Sequence, residues 1–317
     1  MFGLMKDGLL EVPERYFTLE NYEGGQVRWC PGCGDSAILS AVQRICRDHQ
    51  LPPEKVVAVS GIGCSSRFPH YMGTYGFHGL HGRALPVACG IKSRRPDLKI
   101  WVATGDGDCC SIGAGHWMHA IRYNMDMTVM LFDNNVYALT KKQTSPTSPR
   151  GFKSNTSPQG SWLPPVNAVQ AVLGFTNVSF VAQTVDWNPI HLHATLEAAY
   201  RHRGTSFIRI LQRCPTYTAD IFAEVQSDPD RILLLTHEDG VAADATLKRL
   251  YKNQMAHDPA DLAGARALAD HPERVPIGLF YRNPDALVYE DHTSEGLGMT
   301  VDERIEAVNR AMDKFAI

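Results

Sequence analysis

The chain has 317 residues, of which 44% are apolar and 21% charged, and its net charge is −3. These values are typical of a globular chain that forms one large domain with an extension, or two domains. They argue against nucleic acid as the main partner, and no run of 18 apolar residues predicts a membrane span. The amino terminus lacks a signal-peptide pattern, so we expect a cytoplasmic protein. Eight cysteines in such a chain favour metal or redox roles over disulfides.

Helix-like and strand-like segments alternate after an irregular lead-in at residues 1–28. Helical patterns are predicted at 35–49, 84–93, 166–173 and 190–202, and strands at 56–59, 100–103, 128–132, 179–182 and 207–211. This alternation predicts an α/β fold with a doubly wound, mostly parallel sheet. Residues 140–165 are rich in Ser, Thr, Pro, Gly and Lys and predict a long loop, which in compact domains is usually functional.

The carboxyl-terminal third differs from the rest of the chain in its pattern of charged residues. Charged helical stretches occupy residues 241–255, 259–270 and 302–315. We therefore predict a binding domain at 1–224 and a helical extension at 225–317.

Oxygen-bearing side chains follow two strand-like runs that a predicted helix connects. One run ends in Gly105-Asp106-Gly107-Asp108 and the next in Asp133-Asn134-Asn135. Since parallel strands joined by a crossover helix end side by side, Asp106 and Asn134 should meet at one edge of the sheet. Their oxygens suit Mg²⁺, and glycines 105 and 107 let a diphosphate approach the backbone. The pattern resembles the binding motif of thiamine diphosphate enzymes.

Four cysteines lie in loops at the boundaries of predicted elements. Cys30 and Cys33 form a C-x-x-C turn, Cys64 follows the first strand, and Cys214 follows the last. Four thiolates can bind Zn²⁺ or a 4Fe–4S cluster. A single C-x-x-C pair with two distant cysteines favours the cluster without excluding zinc. Cys46 falls on an apolar helix face and is expected in the core.

Several motifs in order, over about residues 25–220, resemble the β subunit of 2-oxoacid:ferredoxin oxidoreductases. They are CPGCG, IGCSS, HGRALPVACGIK, GDGD…DNNVYALT and CPTY. The resemblance implies thiamine diphosphate, Mg²⁺ and one 4Fe–4S cluster within 1–224. It implies cluster ligands Cys30, Cys33, Cys64 and Cys214, and Mg²⁺ ligands Asp106, Asn134 and the Val136 carbonyl. The implied cofactor-binding residues are Ile62, Gly63, Cys64, Ser65, His81, Gly105, Asp106, Gly107, Asp108, Asn134, Ala138, Leu139 and Thr140. The pair Cys109-Cys110 departs from the small or aliphatic residues expected there.

The resemblance also implies a reaction and partners. We expect oxidative decarboxylation of 2-oxoglutarate with coenzyme A to succinyl-CoA and CO₂, with electrons passed through the cluster to ferredoxin; the reverse carboxylation stays open. His81 is a candidate contact of the diphosphate or the reacting groups. Lys141, in an LTK-x-Q-x-SPT pattern that resembles 2-oxoglutarate-using members, would bind the distal carboxylate. An α subunit would supply the activating glutamate, in an αβ heterodimer or (αβ)₂ assembly.

Alternatives remain at this stage. The same chemistry could act on pyruvate or other 2-oxoacids. A non-redox thiamine diphosphate decarboxylase or synthase would keep the glycine–aspartate motif but would not need four boundary cysteines. A zinc-binding interaction module would use that motif only as a turn. A dinucleotide-binding dehydrogenase is disfavoured, because Ser66 stands where a third glycine would follow Gly61 and Gly63.

Overall fold

A nine-stranded sheet forms the centre of the computed structural model, which describes residues 16–293 and 299–315. The strands are β1 (Val56–Ser60), β2 (Tyr75–His78), β3 (Lys99–Gly105), β4 (Met127–Asp133), β5 (Phe180–Val185), β6 (Thr205–Leu211), β7 (Ile232–Thr236), β8 (Gln254–Ala256) and β9 (Val275–Arg282). Their order is β2-β1-β3-β4-β6-β5-β9-β7-β8. Neighbours within these described strands run parallel, apart from the antiparallel pair β5–β9.

Helices cover both faces of this sheet. They are α1 (Asp35–Asp48), α2 (Ala84–Arg94), α3 (Ala114–Tyr123), α4 (Ala168–Leu173), α5 (Pro189–Arg201), α6 (Ala223–Ser227), α7 (Ala245–Leu250), α8 (Leu262–Ala269), α9 (Tyr289–Thr293) and α10 (Val301–Asp313). None of the helices in the described ranges combines the length and apolar character that crossing a bilayer requires.

Alternate residues of the central strands enter two separate cores. In β3, Ile100 and Val102 pack with α2, α3 and α4 on one face. Trp101 and Ala103 pack with α1 and α5 on the other. Because both faces are covered, the central strands are continuous apolar runs rather than alternating ones. The polar residues that follow these strands are therefore forced to the edge of the sheet.

The predicted doubly wound, mostly parallel α/β sheet is confirmed. The helices and strands predicted between residues 35 and 211 occur with shifted ends, and β2 is an additional strand with four exposed residues. The lead-in predicted at residues 1–28 lies partly outside the described residues, and within it Leu19–Tyr22 forms a short 3₁₀ turn.

The extension at 225–317 is helical only in part, and it contributes strands that the sequence reading missed. The helix expected at 241–255 is only the six residues of α7, followed by β8. Strands β7 and β9 are largely buried, and Ile232 and Ile277 join a third core that also contains Val185 of β5 and Leu211 of β6. Through β5–β9 pairing, strands from both sides of residue 224 share one sheet. The domain boundary stays a prediction.

Candidate cofactor and cluster site

The carboxyl ends of β1, β3 and β4 open onto a cavity of about 520 Å³. The strands are in register there, with Ser60 opposite Ala103 and Gly105 opposite Phe132. The cavity is lined by all the residues that the resemblance assigned to the cofactor or Mg²⁺: Ile62, Gly63, Cys64, Ser65, His81, Gly105, Asp106, Gly107, Asp108, Asn134, Val136, Ala138, Leu139 and Thr140. Their grouping is a property of the fold, and their individual roles stay predictions.

Asp106 is a buried carboxylate that lacks a cationic partner among the described residues. Its Oδ2 accepts hydrogen bonds from Ser145 Oγ at 2.5 Å and Thr147 Oγ1 at 2.7 Å. Burial, followed by the nearby Asp133 carboxylate, raises the pKa of Asp106 to about 7. Asp133 is paired with Arg209 at 2.6 Å, so its charge is balanced. The uncompensated charge at this strand end suits a bound cation. The two hydroxyl donors come from the 140–165 loop and were not predicted.

Asn134 is held so that its amide oxygen remains an acceptor. Its Nδ2 donates to Gln212 Oε1 at 2.8 Å, and its Oδ1 accepts from the Val136 amide at 3.2 Å. Asp106, Asn134 and Val136 line the same cavity, and their carboxylate, amide and carbonyl groups carry hard oxygens of the type that Mg²⁺ prefers.

The Asp108 carboxylate accepts hydrogen bonds from three separate segments of the chain at the wall of the cofactor cavity. Its Oδ1 accepts hydrogen bonds from the amides of Ile62 at 3.0 Å and Gly82 at 2.7 Å. His81 Nδ1 also donates to Oδ1, at 2.5 Å, while Thr104 Oγ1 donates to Oδ2 at 2.9 Å. Because the carboxylate holds Nδ1 of His81 as a donor, Nε2 is the ring nitrogen left for other partners.

This arrangement requires glycine at position 61. A Cβ there would lie 2.0 Å from Asp108 Oδ2, so Gly61→Ala is expected to displace the carboxylate and destabilise the chain by about 1–3 kcal/mol, as overpacking does. Urea unfolding measures this. Gly90→Ala is the matched control, because nothing lies within 4 Å of the added methyl and the helical site favours alanine by about 0.5–1 kcal/mol. Equal stabilities of the two variants would contradict the prediction.

Gly107 makes a contact that the sequence did not predict. A Cβ at this position would lie 2.1 Å from Cε1 of Tyr137, whose hydroxyl donates to the Gly107 carbonyl at 3.0 Å. The glycine therefore admits the tyrosine ring as well as lining the cavity. The following residues, Asp108–Ile112, form one π-helical turn that contains Cys109 and Cys110 before α3 begins. Such turns are rare in proteins as a whole, and those that occur are often found at functional sites.

The four boundary cysteines converge. Cys30, Cys33, Cys64 and Cys214 line a second cavity of about 170 Å³. Two hydrogen bonds fix the converging loops: the Gly34 amide donates to the Arg213 carbonyl at 3.2 Å, and Trp29 Nε1 donates to the Cys64 carbonyl at 2.7 Å. No three His, Cys, Asp or Glu side chains in the described ranges are grouped so as to hold a metal ion. The thiols instead surround an open volume.

Two of the thiols in this second cavity, Cys33 and Cys64, are held in the protonated form by burial in the metal-free chain. Burial raises the pKa of Cys64 to about 12 and that of Cys33 further still. Cys46 lies elsewhere, fully buried in the core as expected.

The two cavities share a wall. Cys64, Asn134, Ala138 and Leu139 line both of them. A group held by the four cysteines would therefore lie directly beside a cofactor held at the strand ends.

Lys141 lies outside the cofactor cavity. It is exposed and lines the cysteine cavity instead. Lys141 and Lys142 have φ of 77° and 67°, a left-handed backbone that is strained for non-glycine residues and concentrates at functional sites. Lys142 Nζ lies 5.5 Å from the centre of the Phe152 ring. The substrate contact of Lys141 stays a prediction.

A third cavity, which the sequence reading missed, is lined by two arginines that also line the cysteine cavity. It measures about 510 Å³ and shares Ile62, Gly63 and Leu139 with the cofactor cavity. Its other lining residues include Arg28, Arg67, His70 and His78. The position of Arg67, three residues after Cys64, is the sequence signal that could have indicated a cationic side chain near the cofactor cavity.

Comparisons with known proteins agree with this geometry. Residues 61–210 match the family model described as thiamine pyrophosphate enzyme, C-terminal TPP binding domain. Residues 246–296 match the model for the C terminal part of the pyruvate ferredoxin oxidoreductase beta subunit. The fold and the site thus define a thiamine pyrophosphate-binding protein.

Relatives identify the family within this class. The 2-oxoacid:ferredoxin oxidoreductase subunit beta of Saccharolobus solfataricus is 38% identical over 269 residues, which cover 84% of this chain and 85% of the relative. The 2-oxoglutarate oxidoreductase subunit KorB of Mycobacterium tuberculosis is 44% identical over 214 residues; these cover 67% of this chain and 57% of that protein. A solved structure of 2-oxoglutarate:ferredoxin oxidoreductase from Magnetococcus marinus, with 2-oxoglutarate, coenzyme A and succinyl-CoA bound, aligns with a TM-score of 0.77 at 34% identity, covering 92% and 96% of the chains. The chain belongs to the 2-oxoacid:ferredoxin oxidoreductase β subunits.

Proposed function

We propose that this chain is the β subunit of a cytoplasmic enzyme that oxidatively decarboxylates 2-oxoglutarate with coenzyme A to succinyl-CoA and CO₂. Electrons would pass through a 4Fe–4S cluster to ferredoxin, and the direction of the reaction stays open. The observation that carries this proposal is the wall shared by the cofactor cavity and the cysteine cavity. Redox chemistry needs such proximity, whereas a non-redox decarboxylase does not.

The residues present fit thiamine diphosphate with Mg²⁺. When bound, thiamine diphosphate supplies the carbanion stabilisation by which 2-oxoacids lose CO₂. Asp106, Asn134 and the Val136 carbonyl would hold Mg²⁺, because they offer hard oxygens and one uncompensated buried charge. His81 Nε2 would exchange a proton at the cavity wall, since Nδ1 is committed to Asp108.

The cysteine cavity fits an iron–sulfur cluster. A 4Fe–4S cluster is held by four cysteine thiolates. Cys30, Cys33, Cys64 and Cys214 reach one cavity from three separate loops, which supports this donor set.

The choice of 2-oxoglutarate rests on charge as well as on relatives. A second carboxylate on the substrate is costly to bury without a cation. The loops around the cofactor cavity carry Lys141, Arg28 and Arg67 in the two adjoining cavities. Four of the relatives are named for 2-oxoglutarate, whereas the carboxyl-terminal family model is named for pyruvate. The charges favour the dicarboxylate.

A partner subunit is needed to complete the site. The described residues that line the cofactor cavity include no glutamate, the residue expected to activate the cofactor in thiamine enzymes. An α subunit would supply it, in an αβ or (αβ)₂ assembly.

Reconstitution tests the proposal. The isolated chain is expected to be inactive, and the anaerobic complex with its α subunit should reduce ferredoxin with a higher kcat/KM for 2-oxoglutarate than for pyruvate. Lys141→Ala should lower the ratio of kcat/KM for 2-oxoglutarate to kcat/KM for pyruvate roughly tenfold, as the loss of one charge-assisted hydrogen bond of about 1.5–3 kcal/mol predicts.

Arg150→Ala is the matched control for Lys141→Ala, because this exposed cation of the same loop lines none of the three cavities. Arg150→Ala should have the same ratio of kcat/KM values for 2-oxoglutarate and pyruvate as the wild type. Turnover by the isolated chain, or a wild-type preference for pyruvate, would contradict the proposal.

A further inference from the structure

Gln212 lines the cysteine cavity and is bonded to Asn134, which also lines the cofactor cavity, yet neither proposed site gives it a role. It follows the last residue of β6 and precedes Arg213-Cys214. Its side chain is buried, with 1% of the residue exposed. Its backbone amide donates to the Asp133 carbonyl at 3.0 Å, which fixes it beside the end of β4.

The side-chain amide of Gln212 contacts both sites at once. Its Oε1 accepts from Asn134 Nδ2 at 2.8 Å. Its Nε2 donates to Cys33 Sγ at 3.4 Å and to the Arg213 carbonyl. One amide group therefore joins a candidate Mg²⁺ ligand to a candidate cluster ligand.

The polarity of this chain of hydrogen bonds is fixed. A carbonyl oxygen can only accept, so the atom facing Arg213 must be the nitrogen of Gln212. Oε1 is then the acceptor for Asn134, whose own amide must present Nδ2 to Gln212. Oδ1 of Asn134 is consequently left for the metal. The same orientation directs an N–H group at the sulfur of Cys33.

We propose that Gln212 is a positioning residue that couples the two cofactor sites. Through Asn134 it would fix the oxygen that binds Mg²⁺, and through the N–H···S bond it would raise the reduction potential of the cluster. Hydrogen bonds to cluster sulfurs set such potentials, and outer-shell partners orient metal ligands. The inference rests on the proposed function, because it assumes a cluster and Mg²⁺.

Two substitutions separate the two effects. Gln212→Met removes both the donor and the acceptor at similar volume. We expect about a tenfold loss of Mg²⁺–thiamine diphosphate affinity, the lower end for outer-shell partners of metal sites, and a more negative cluster potential. Gln212→Glu keeps an acceptor for Asn134 but replaces the N–H donors. It should retain near wild-type affinity while shifting the potential in the same direction.

Gln43→Met is the matched control. Gln43 is also buried, at 6% exposure, and its amide donates to the carbonyls of Tyr22 and Tyr71, away from both cavities. Losing these bonds should lower stability alone. The measurements are an EPR-monitored redox titration, in which about 59 mV corresponds to a tenfold change for one electron, and titration of the anaerobic αβ complex with thiamine diphosphate and Mg²⁺.

The outcomes are distinguishable. Loss of affinity in Gln212→Met but not in Gln212→Glu, with the potential lowered in both, supports the inference. Unchanged potential and affinity in both variants, or equal changes in Gln43→Met, would overturn it while leaving the proposed function intact. A wild-type complex without about four irons per β chain would overturn the proposed function and this inference together.

Discussion

Replacing Asp106 with alanine is expected to abolish Mg²⁺-dependent binding of thiamine diphosphate, with a loss of affinity of at least about 100-fold. Losing an outer-shell partner of a metal already costs roughly 10- to 100-fold, and Asp106 would be a direct ligand. The fold should persist, because the substitution removes a charge that is buried beside Asp133 and bonded only through hydroxyls and a backbone amide. Isothermal titration of the αβ complex measures the affinity.

Asp106→Asn separates charge from shape. It preserves the size of the side chain and removes the repulsion with Asp133, so the metal-free variant should unfold no earlier than the wild type. Asp244→Ala is the control: Asp244 caps α7 by accepting from the Leu247 amide at 2.8 Å, and its loss should cost about 1 kcal/mol without affecting the cofactor. Wild-type affinity in Asp106→Ala would refute the assignment of the metal ligand.

Each of the four cavity cysteines is expected to be indispensable for iron. Substituting Cys30, Cys33, Cys64 or Cys214 with alanine should reduce the content from about four irons per chain to near zero, since a cubane relies on all four thiolates. Iron and sulfide analysis of anaerobic protein, with the visible band of iron–sulfur centres, measures this.

Cys46→Ala is the matched control for the cysteine series. Cys46 is fully buried among α1, β1 and neighbouring core residues, so its removal should lower stability and leave iron unchanged. Iron that survives Cys214→Ala would show that another residue supplies the fourth ligand.

The parts of the site nearest the strands could be predicted from the sequence. Asp106 and Asn134 follow short apolar runs that indicate buried strands, and parallel geometry then brings the two residues together. The convergence of Cys30 and Cys214 could not be deduced in this way, because it depends on loop contacts such as the Gly34–Arg213 hydrogen bond. The positions of the four cysteines in loops allowed such a convergence, and the resemblance to a family implied it.

Other features left no readable local signal. Strand β2 is exposed at all four residues and so shows no burial pattern. Strands β7 and β9 were overlooked because charged segments flank their short apolar runs. Gln212 resembles any polar residue after a strand, and its importance appears only when the partners on both sides are known. Long-range contacts are therefore what the sequence reading lacked.

Because β9 runs antiparallel to its neighbour β5, the segment that follows β9 begins at the amino end of β5. β9 pairs antiparallel with β5, and its last residue, Arg282, lies opposite Phe180 at the amino end of that strand. The following segment stays at that edge, where the Leu287 carbonyl accepts from Asn124 Nδ2 at 3.1 Å and Glu290 accepts from the Asp126 amide at 3.0 Å. A seven-residue strand such as β4 separates this edge from the cofactor cavity by roughly 20 Å. A fluorophore or surface anchor attached near Tyr289 would thus lie at the sheet edge opposite the cofactor cavity and leave that cavity facing solution.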